Sequence, residues 1–423
     1  MKYFKEQKLE KLDFERFKKI TPQEFKEAKF LAKKLQGIKI LNINSASLGG
    51  GVAEILKSQL PLENSLKINS FWYVLKAPTE FFKITKKIHN FLQGEKGSLK
   101  ESEKNFYLEF LFKKAGPDFK KLVFKIKPHI LIIHDPQPLA LINFVPPSIK
   151  TILRIHIDLS EPNKEVAFFL KPFIEKYQKV IFSHKDYRFN LLPQKKVKII
   201  FPAIDPFSEK NRFLKASQAK EILAFLGIHP EKPILLQVAR FDPWKDHLST
   251  LKAYYLAKNH FPKLQLVLVG IPQPKDDPQA QEIFEKVKKH AKGDPDVHLF
   301  SDIKQIKTIS PDLFINALNT TSTVFMHKSI KEGFGLAITE AMWKKKPVIG
   351  GKTKGIKLQI THKKNGFLVE NAEEAAFWIE KLLKDKNLRK KIGKRAYETV
   401  KSKFLISRLV LDHLKLYQEL LKN

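Results

Sequence analysis

The chain predicts an α/β protein of two domains, each a doubly wound parallel sheet, and three observations carry that expectation. Its 423 residues exceed what one compact core usually supports, so two domains of about two hundred residues each are expected. Short β-branched, apolar runs alternate with helical patterns along most of the length. Glycines and polar side chains gather just past the ends of several of those runs, on the side where ligands of such sheets bind.

After a charged opening to about Gln36, the segment Ile38–Asn44 alternates and reads as a strand. Gly49, Gly50 and Gly51 follow it, and Val52–Leu56 opens a helix, the first strand–loop–helix unit of a doubly wound sheet. The glycine triplet lacks the Gly-x-Gly-x-x-Gly spacing of dinucleotide sites, so alone it is also compatible with a flexible turn. Buried strands are expected at 129–134, 150–156 and 180–183, and helices at 80–92, 101–114 and 164–177. Between Phe201 and Asn211 two prolines and no periodicity suit a linker. The second domain is expected to carry strands at 234–239, 264–269, 297–300, 324–327 and 347–349, with helices at 248–258 and 279–292 between them. Three helical stretches, 372–383, 388–400 and roughly 406–420, end the chain.

Composition narrows the function classes. An apolar fraction of 43% and 34 phenylalanines suit ordinary folded cores despite abundant lysine. The 78 basic residues against 44 acidic ones leave a net charge of +34, which admits a polyanion or membrane-surface partner. The basic residues are scattered in short runs, not gathered into one arm or interleaved with aromatics, so solvated faces are the plainer reading and no specific nucleic acid is expected. No cysteine occurs, which excludes disulfides, thiolate metal sites and cysteine nucleophiles. No apolar run has the length of a signal peptide or a membrane span, so cytoplasmic location is the default.

The segment Lys331–Glu340 is the most informative. Two glutamates, Glu332 and Glu340, bracket a Gly333-Phe334-Gly335 turn that runs through Leu336 and Ala337 into a helix. A helix start offers backbone N–H groups to an anionic pyrophosphate, and glycines let the backbone approach it. The two carboxylates can then accept hydroxyls at opposite ends of one ligand, as a nucleotide sugar would require. The alternative is a tight turn before a buried helix, with both glutamates solvated.

Arg240 and Lys245 lie just past the strand at 234–239, where a guanidinium fork and an ammonium together could neutralise a leaving diphosphate. In the first domain His134-Asp135-Pro136-Gln137 and Arg154-Ile155-His156-Ile157-Asp158 place polar groups at strand ends on the side shared with the glycine triplet. Asp294-Pro295-Asp296 precedes a strand instead of following one, and reads as a turn and not a metal site.

These strings, with Asn44-Ser45, Trp72-Tyr73-Val74, the run from Ser160 to Asn163, Asp276-Asp277-Pro278 and Gly355–Ile360, resemble the retaining GT-B glycosyltransferases of family four, and among them the trehalose synthases of the glycosyltransferring type. The resemblance covers nearly the whole chain. It implies two Rossmann-like domains facing across a cleft: an acceptor domain at 1–203, a nucleotide-sugar domain at 204–404, and a last helix, 405–423, crossing back to the first domain. It implies reversible transfer of glucose from a nucleoside diphosphate glucose to glucose, giving α,α-trehalose. No other cofactor or metal is needed, and a homo-oligomer stays open. By position, Arg240 and Lys245 would hold the diphosphate, Glu340 the ribose, Glu332 a donor-sugar hydroxyl, and the backbone of Gly333–Ala337 the sugar and phosphate. Gly50, Gly51, Asp135, Gln137, Arg154 and His156 would line the acceptor side and donor sugar. A related alternative is a phosphorylase in which inorganic phosphate replaces the nucleotide; from another class, a basic polyanion binder with a vestigial cleft. Three departures from the family pattern stand out: Lys354 before Gly355 in place of glycine, Thr321-Ser322-Thr323 before Val324, and Asn42 in place of a common histidine.

Overall fold

Apolar strands buried on both faces assemble into two sheets, one in each of two compact units. A computed structural model describes residues 1–48, 50–188, 192–271 and 278–422, so Gly49 and the Asp276-Asp277 pair lie outside the described residues. One unit runs to Pro202 and takes in the chain from Ile406 onward; the other is Ala203–Leu405.

In the first unit the strands are β1 (Phe4–Glu6), β2 (Lys39–Asn44), β3 (Asn69–Leu75), β4 (Ile130–His134), β5 (Lys150–Arg154), β6 (Lys179–Phe182) and β7 (Val197–Ile199). Their order is β1-β3-β2-β4-β5-β6-β7, and only β1 runs antiparallel to its neighbour. The helices are α1 (Pro22–Lys34), α2 (Gly51–Ser65), α3 (Thr79–Leu92), α4 (Glu101–Glu109), α5 (Gly116–Ile126) and α6 (Lys164–Ile174). Leu41, Ile43, Leu131, Ile133 and Leu153 carry one face of the sheet into a core shared with Phe81, Tyr107 and Phe119.

Two local expectations change. The charged opening contains β1 and α1, because Phe14, Phe17, Phe25 and Leu31 are buried among the lysines and glutamates that hide them in the sequence. The helix expected over 101–114 keeps α geometry only to Glu109, then widens to a π-type stretch over Phe110–Ala115.

The second unit contains β8 (Ile234–Val238), β9 (Gln265–Val269), β10 (Val297–Phe300), β11 (Val324–His327), β12 (Val348–Gly351) and β13 (Phe367–Val369). The order is β10-β9-β8-β11-β12-β13, all parallel. Its helices are α7 (Ala216–Phe225), α8 (His247–Lys258), α9 (Pro278–His290), α10 (Pro311–Thr321), α11 (Leu336–Trp343), α12 (Lys354–Lys357), α13 (Ala372–Lys384) and α14 (Lys386–Lys403). The final helix, α15 (Ile406–Lys422), belongs to the first unit, where Ser407 accepts from Thr21 at 2.9 Å and the Tyr417 hydroxyl donates to buried Glu63 at 3.1 Å. Asp294-Pro295-Asp296 forms a turn before β10, with Lys258 paired to both carboxylates and Lys232 to Asp296.

The segment expected as a linker is packed over most of its length. Asp205, Lys210 and Asn211 are buried, and Trp343 and Lys344 donate to the carbonyls of Asn211 and Arg212. Prolines end regular structure there, but the backbone's unpaired carbonyls find partners on α11 instead of in water.

In each sheet the chain fills one side and then jumps to the other. The jump leaves β2 beside β4 in the first unit and β8 beside β11 in the second, so the crevice beyond their carboxyl ends is where a ligand is expected.

Candidate active site

At the β8–β11 crevice, two loops are tied together before any ligand is considered. The Asp242 carboxylate accepts from the Trp244 N–H at 2.9 Å, capping one tight turn over Pro243–Lys245. Buried Gln237 donates to the Lys245 carbonyl at 2.9 Å. From the other loop, the Ile330 N–H donates to the Trp244 carbonyl at 2.8 Å and Lys328 reaches Asp246 at 3.1 Å. Lys331 lies 5.2 Å above the Trp244 ring.

That framework brings Lys245 and Glu332 together. Lys245 Nζ lies 2.6 Å from Glu332 Oε2, and the same oxygen is 2.7 Å from His327 Nε2 and 3.3 Å from Ser329 Oγ. Burial alone would raise the Glu332 carboxyl, but the Lys245 charge and the His327 hydrogen bond outweigh it and hold the group well below the usual carboxylate range. Glu332 is therefore a half-buried, ionised acceptor held by three donors, and the solvated-turn alternative does not hold.

Gly333, Phe334 and Gly335 follow. Gly335 has φ +86° and caps α11, whose first turn, Leu336 and Ala337, is half-buried. The turn is fixed from beneath: Gln359 Nε2 donates to the carbonyls of Phe334 (2.5 Å) and Gly335 (3.2 Å), while its Oε1 accepts from Thr339 at 2.6 Å. Gly355 passes so close that a Cβ there would overlap the Glu332 carbonyl oxygen. Glu340, three residues before the end of α11, is buried with Lys210 Nζ at 3.8 Å; Lys210 is also 3.5 Å from Asp312. Lys344 donates to Asn316 Oδ1 at 2.7 Å, and burial, with Arg212 and Lys346 adding to it, pushes its ammonium down to about 7.

Arg240 stands apart from this cluster. Its guanidinium is about half exposed and lies 3.7 Å from Asp242. His327, Gln359 and Lys210 were not anticipated as site residues. His327 ends the strand expected at 324–327 and Gln359 lies in the Gly355–Ile360 string, so both had a local signal, whereas only tertiary contact joins Lys210 to the site.

At the β2–β4 crevice of the first unit the chemistry is nearly neutral. Gly50, at φ +108°, precedes Gly51, the first residue of α2; a Cβ on Gly50 would meet empty space, so its need for glycine is conformational. His134 and Arg154 are opposite each other on β4 and β5. The two imidazoles stack, with His134 Nδ1 3.0 Å from His156 Nε2 and His134 Nε2 3.1 Å from Asn42 Oδ1. The amide oxygen only accepts, so neutral His134 carries its hydrogen on Nε2 and its Nδ1 accepts from His156. Burial, with the Arg154 charge adding to it, pushes His134 down to about 3 and His156 well below its ordinary value. Asp135, at φ +63°, accepts from the His156 N–H at 2.8 Å; burial pushes its carboxyl up to about 7.

Arg154 is 2% exposed and donates to the Ile200 carbonyl at 2.8 Å, while its Nη1 has no partner. Burial, then the neighbouring Arg408, pushes its guanidinium down to about 9. Gln137 Oε1 is likewise buried without a partner. Asp158 accepts from the Ser160 N–H at 2.8 Å and shapes its own turn. His156, Asp135 and His134 are thus brought together, and Asn42, one of the departures noted above, is the acceptor that completes the set.

Residues 42–189 match the family model "Trehalose synthase, N-terminal domain", and residues 218–399 match "Glycosyl transferases group 1". A trehalose synthase from Pyrococcus horikoshii is 40% identical over 405 residues, spanning 96% of this chain and 94% of that one. The chain belongs to the trehalose synthase family of group 1 glycosyltransferases. It is a hexosyltransferase with two Rossmann-like units of the GT-B fold. A sucrose-phosphate synthase from Thermosynechococcus elongatus superposes with a TM-score of 0.68 at 18% identity, over 91% of this chain and 99% of that one. An Anabaena protein solved in complex with UDP and glucose gives 0.65 at 16%, over 90% and 100%. The first family match takes in Asn42, His134, Asp135 and His156; the second takes in Arg240, Lys245, Glu332 and Glu340. No helix among the described residues is long and apolar enough to cross a membrane.

Proposed function

We propose that this enzyme transfers glucose from a nucleoside diphosphate glucose to the anomeric hydroxyl of glucose, with retention, giving α,α-trehalose, and that it also runs in reverse as a cytoplasmic member of glycosyltransferase family four. The observation that carries the reading is the half-buried Lys245–Glu332 pair, poised where the Gly333–Gly335 turn enters α11 at the crevice of its sheet. Residues 204–404 would hold the donor: Lys245 and Arg240 at the diphosphate, the first turn of α11 at the phosphates, Glu332 at a sugar hydroxyl and Glu340 at the ribose. Residues 1–203 would supply the acceptor side through Gly50, Gly51, Asp135, Gln137, Arg154 and His156.

In this reading no protein group acts as nucleophile. The bond from the anomeric carbon to the diphosphate oxygen breaks, the acceptor oxygen bonds that carbon on the same face, and the acceptor's proton passes to the departing phosphate. The enzyme contributes positioning and charge stabilisation, for which a fixed ammonium and helix N-terminus are suited. The neutral histidine pair suits hydrogen bonding to uncharged hydroxyls, because an imidazolium beside the reacting centre would oppose its developing positive charge.

The test is purified protein with glucose and, in turn, UDP-, ADP- and GDP-glucose, following nucleoside diphosphate release and disaccharide together. The product's anomeric configuration is read by NMR, and reversal by incubating trehalose with the diphosphate. Trehalose formed from glucose 1-phosphate, with phosphate released and no nucleotide used, would replace this reading with the phosphorylase one. Steeply salt-dependent polyanion binding without turnover on any donor would favour the binding-protein reading.

A further inference from the structure

Three donors converge on one oxygen of Glu332, and they are not equivalent. Lys245 Nζ at 2.6 Å reaches it from the β8 loop, His327 Nε2 at 2.7 Å from the last residue of β11, and Ser329 Oγ at 3.3 Å from the loop just after it. If Lys245 also serves the diphosphate, as proposed above, the bound phosphate competes with the carboxylate for its ammonium and draws it away from Glu332. A carboxylate held by the lysine alone would follow it or lose its orientation.

His327 is built to prevent that. It is 2% exposed, its ring lies parallel to that of Phe325 with the centroids 6.4 Å apart, and strand pairing fixes its backbone opposite Gly350. The carboxylate only accepts, so Nε2 carries a hydrogen; Nδ1 is buried and has no partner. An orphaned ring nitrogen costs stability. Its retention implies that the imidazole is there for what Nε2 does.

We infer that His327 is a positioning residue for donor-sugar recognition, anchoring the Glu332 carboxylate through Nε2–H so that Lys245 can move to the diphosphate while Glu332 stays at the sugar. This rests on the reading of Glu332 as the acceptor of a donor-sugar hydroxyl. Gly355 and Gly351 support the same end from below, since a Cβ on either would overlap the backbone of Glu332 or Ser329.

The experiment compares affinities for UDP and UDP-glucose, or for the ADP or GDP pair if turnover selects that base, by calorimetry in His327→Leu, His327→Asn, His327→Gln and Glu332→Gln. The readout is the ratio of the sugar nucleotide's affinity to that of the bare diphosphate, with melting temperatures as a check on folding. His327→Leu removes the orphaned nitrogen along with the anchor, so it is expected to fold. Losing a hydrogen bond to a charged group should lower the ratio roughly tenfold in the Leu variant, with UDP affinity unchanged. Asparagine places its amide where Nδ1 was and should behave like leucine, whereas glutamine places its amide near Nε2 and should keep the ratio within about threefold. A ratio unchanged in His327→Leu but collapsed in Glu332→Gln overturns the inference and leaves the reading of Glu332 standing. A ratio unchanged in Glu332→Gln overturns that reading and takes the inference with it. Equal loss across the Leu, Asn and Gln variants assigns His327 to packing and overturns the anchor.

Discussion

The crevice of the second unit keeps a carboxylate ionised by surrounding it with an ammonium, an imidazole and a hydroxyl. The crevice of the first unit, at the equivalent place in its sheet, drives charge out of its groups, leaving His134 and His156 neutral and pushing Asp135 up to about 7. Burial is the largest cause in both. What differs is whether an opposite charge stands within hydrogen-bonding distance: Lys245 does for Glu332, whereas Arg154 faces the histidines with the same sign as their charged forms. In the reading proposed above, the diphosphate needs the positive charge of Lys245, whereas the acceptor sugar needs hydrogen bonds from uncharged groups.

The largest expected effect comes from removing the fixed charge. Lys245→Ala should lower kcat/KM for disaccharide formation by about two to four powers of ten, as measured by nucleoside diphosphate release. Arg240→Ala should lose less, roughly tenfold, because its guanidinium is half exposed and outside the cluster. A loss as large as that of Lys245 would mean that the ligand draws Arg240 into the site. Glu332→Gln should cost about ten- to a hundredfold, carried mainly in the donor's affinity.

The two crevices should also separate by pH. Where a histidine's pKa is depressed by folding, the unfolded chain binds the extra proton, so stability falls as pH drops below the ordinary value of 6.5. Each of His134 and His156 then removes about 1.4 kcal/mol per pH unit between 6.5 and its folded value. Asp135 acts oppositely: raised to about 7, it loses stability as pH rises from 3.8 to 7, offsetting one of the two histidines. Glu332, held low, loses its contribution only as pH falls below 4.5. The pH dependence of denaturant unfolding between pH 6.5 and 4.5 should therefore become shallower in His134→Gln and His156→Gln but not in Glu332→Gln, with His247 and His413, which burial pushes down to about 4 and about 3, keeping part of the slope.

The glycines act through the backbone. Gly355→Ala forces the Glu332 loop to move and should weaken the donor's affinity more than it lowers the melting temperature. Gly50→Ala has room for its Cβ but not the backbone conformation, so a stability loss on the order of 1–3 kcal/mol is expected, read by denaturant unfolding.

Much of this was legible before any coordinates. Apolar runs between helical patterns dictate parallel strands, because strands covered on both faces cannot alternate with polar residues; β4, β8, β9 and β11 all fall where those runs lie. Glu332, Glu340 and Lys245 stood out as candidates because a glycine turn entering a helix and a cation after a strand are local patterns. Edge strand β1 and helix α1 were hidden by lysines that cover their apolar side chains, and the Phe201–Asn211 segment by prolines that end regular structure without preventing burial.

The sequence by itself determined the fold class, through periodicity, and the polar groups at the strand ends, through local order; the family followed from the likeness of its strings to known ones. Tertiary structure alone decided which groups share an oxygen and which stay charged. That His327 reaches Glu332, that Asn42 completes the His134–His156 pair and that Arg240 stays outside follow from strand order and loop packing, and ionisation then follows from what surrounds each buried group.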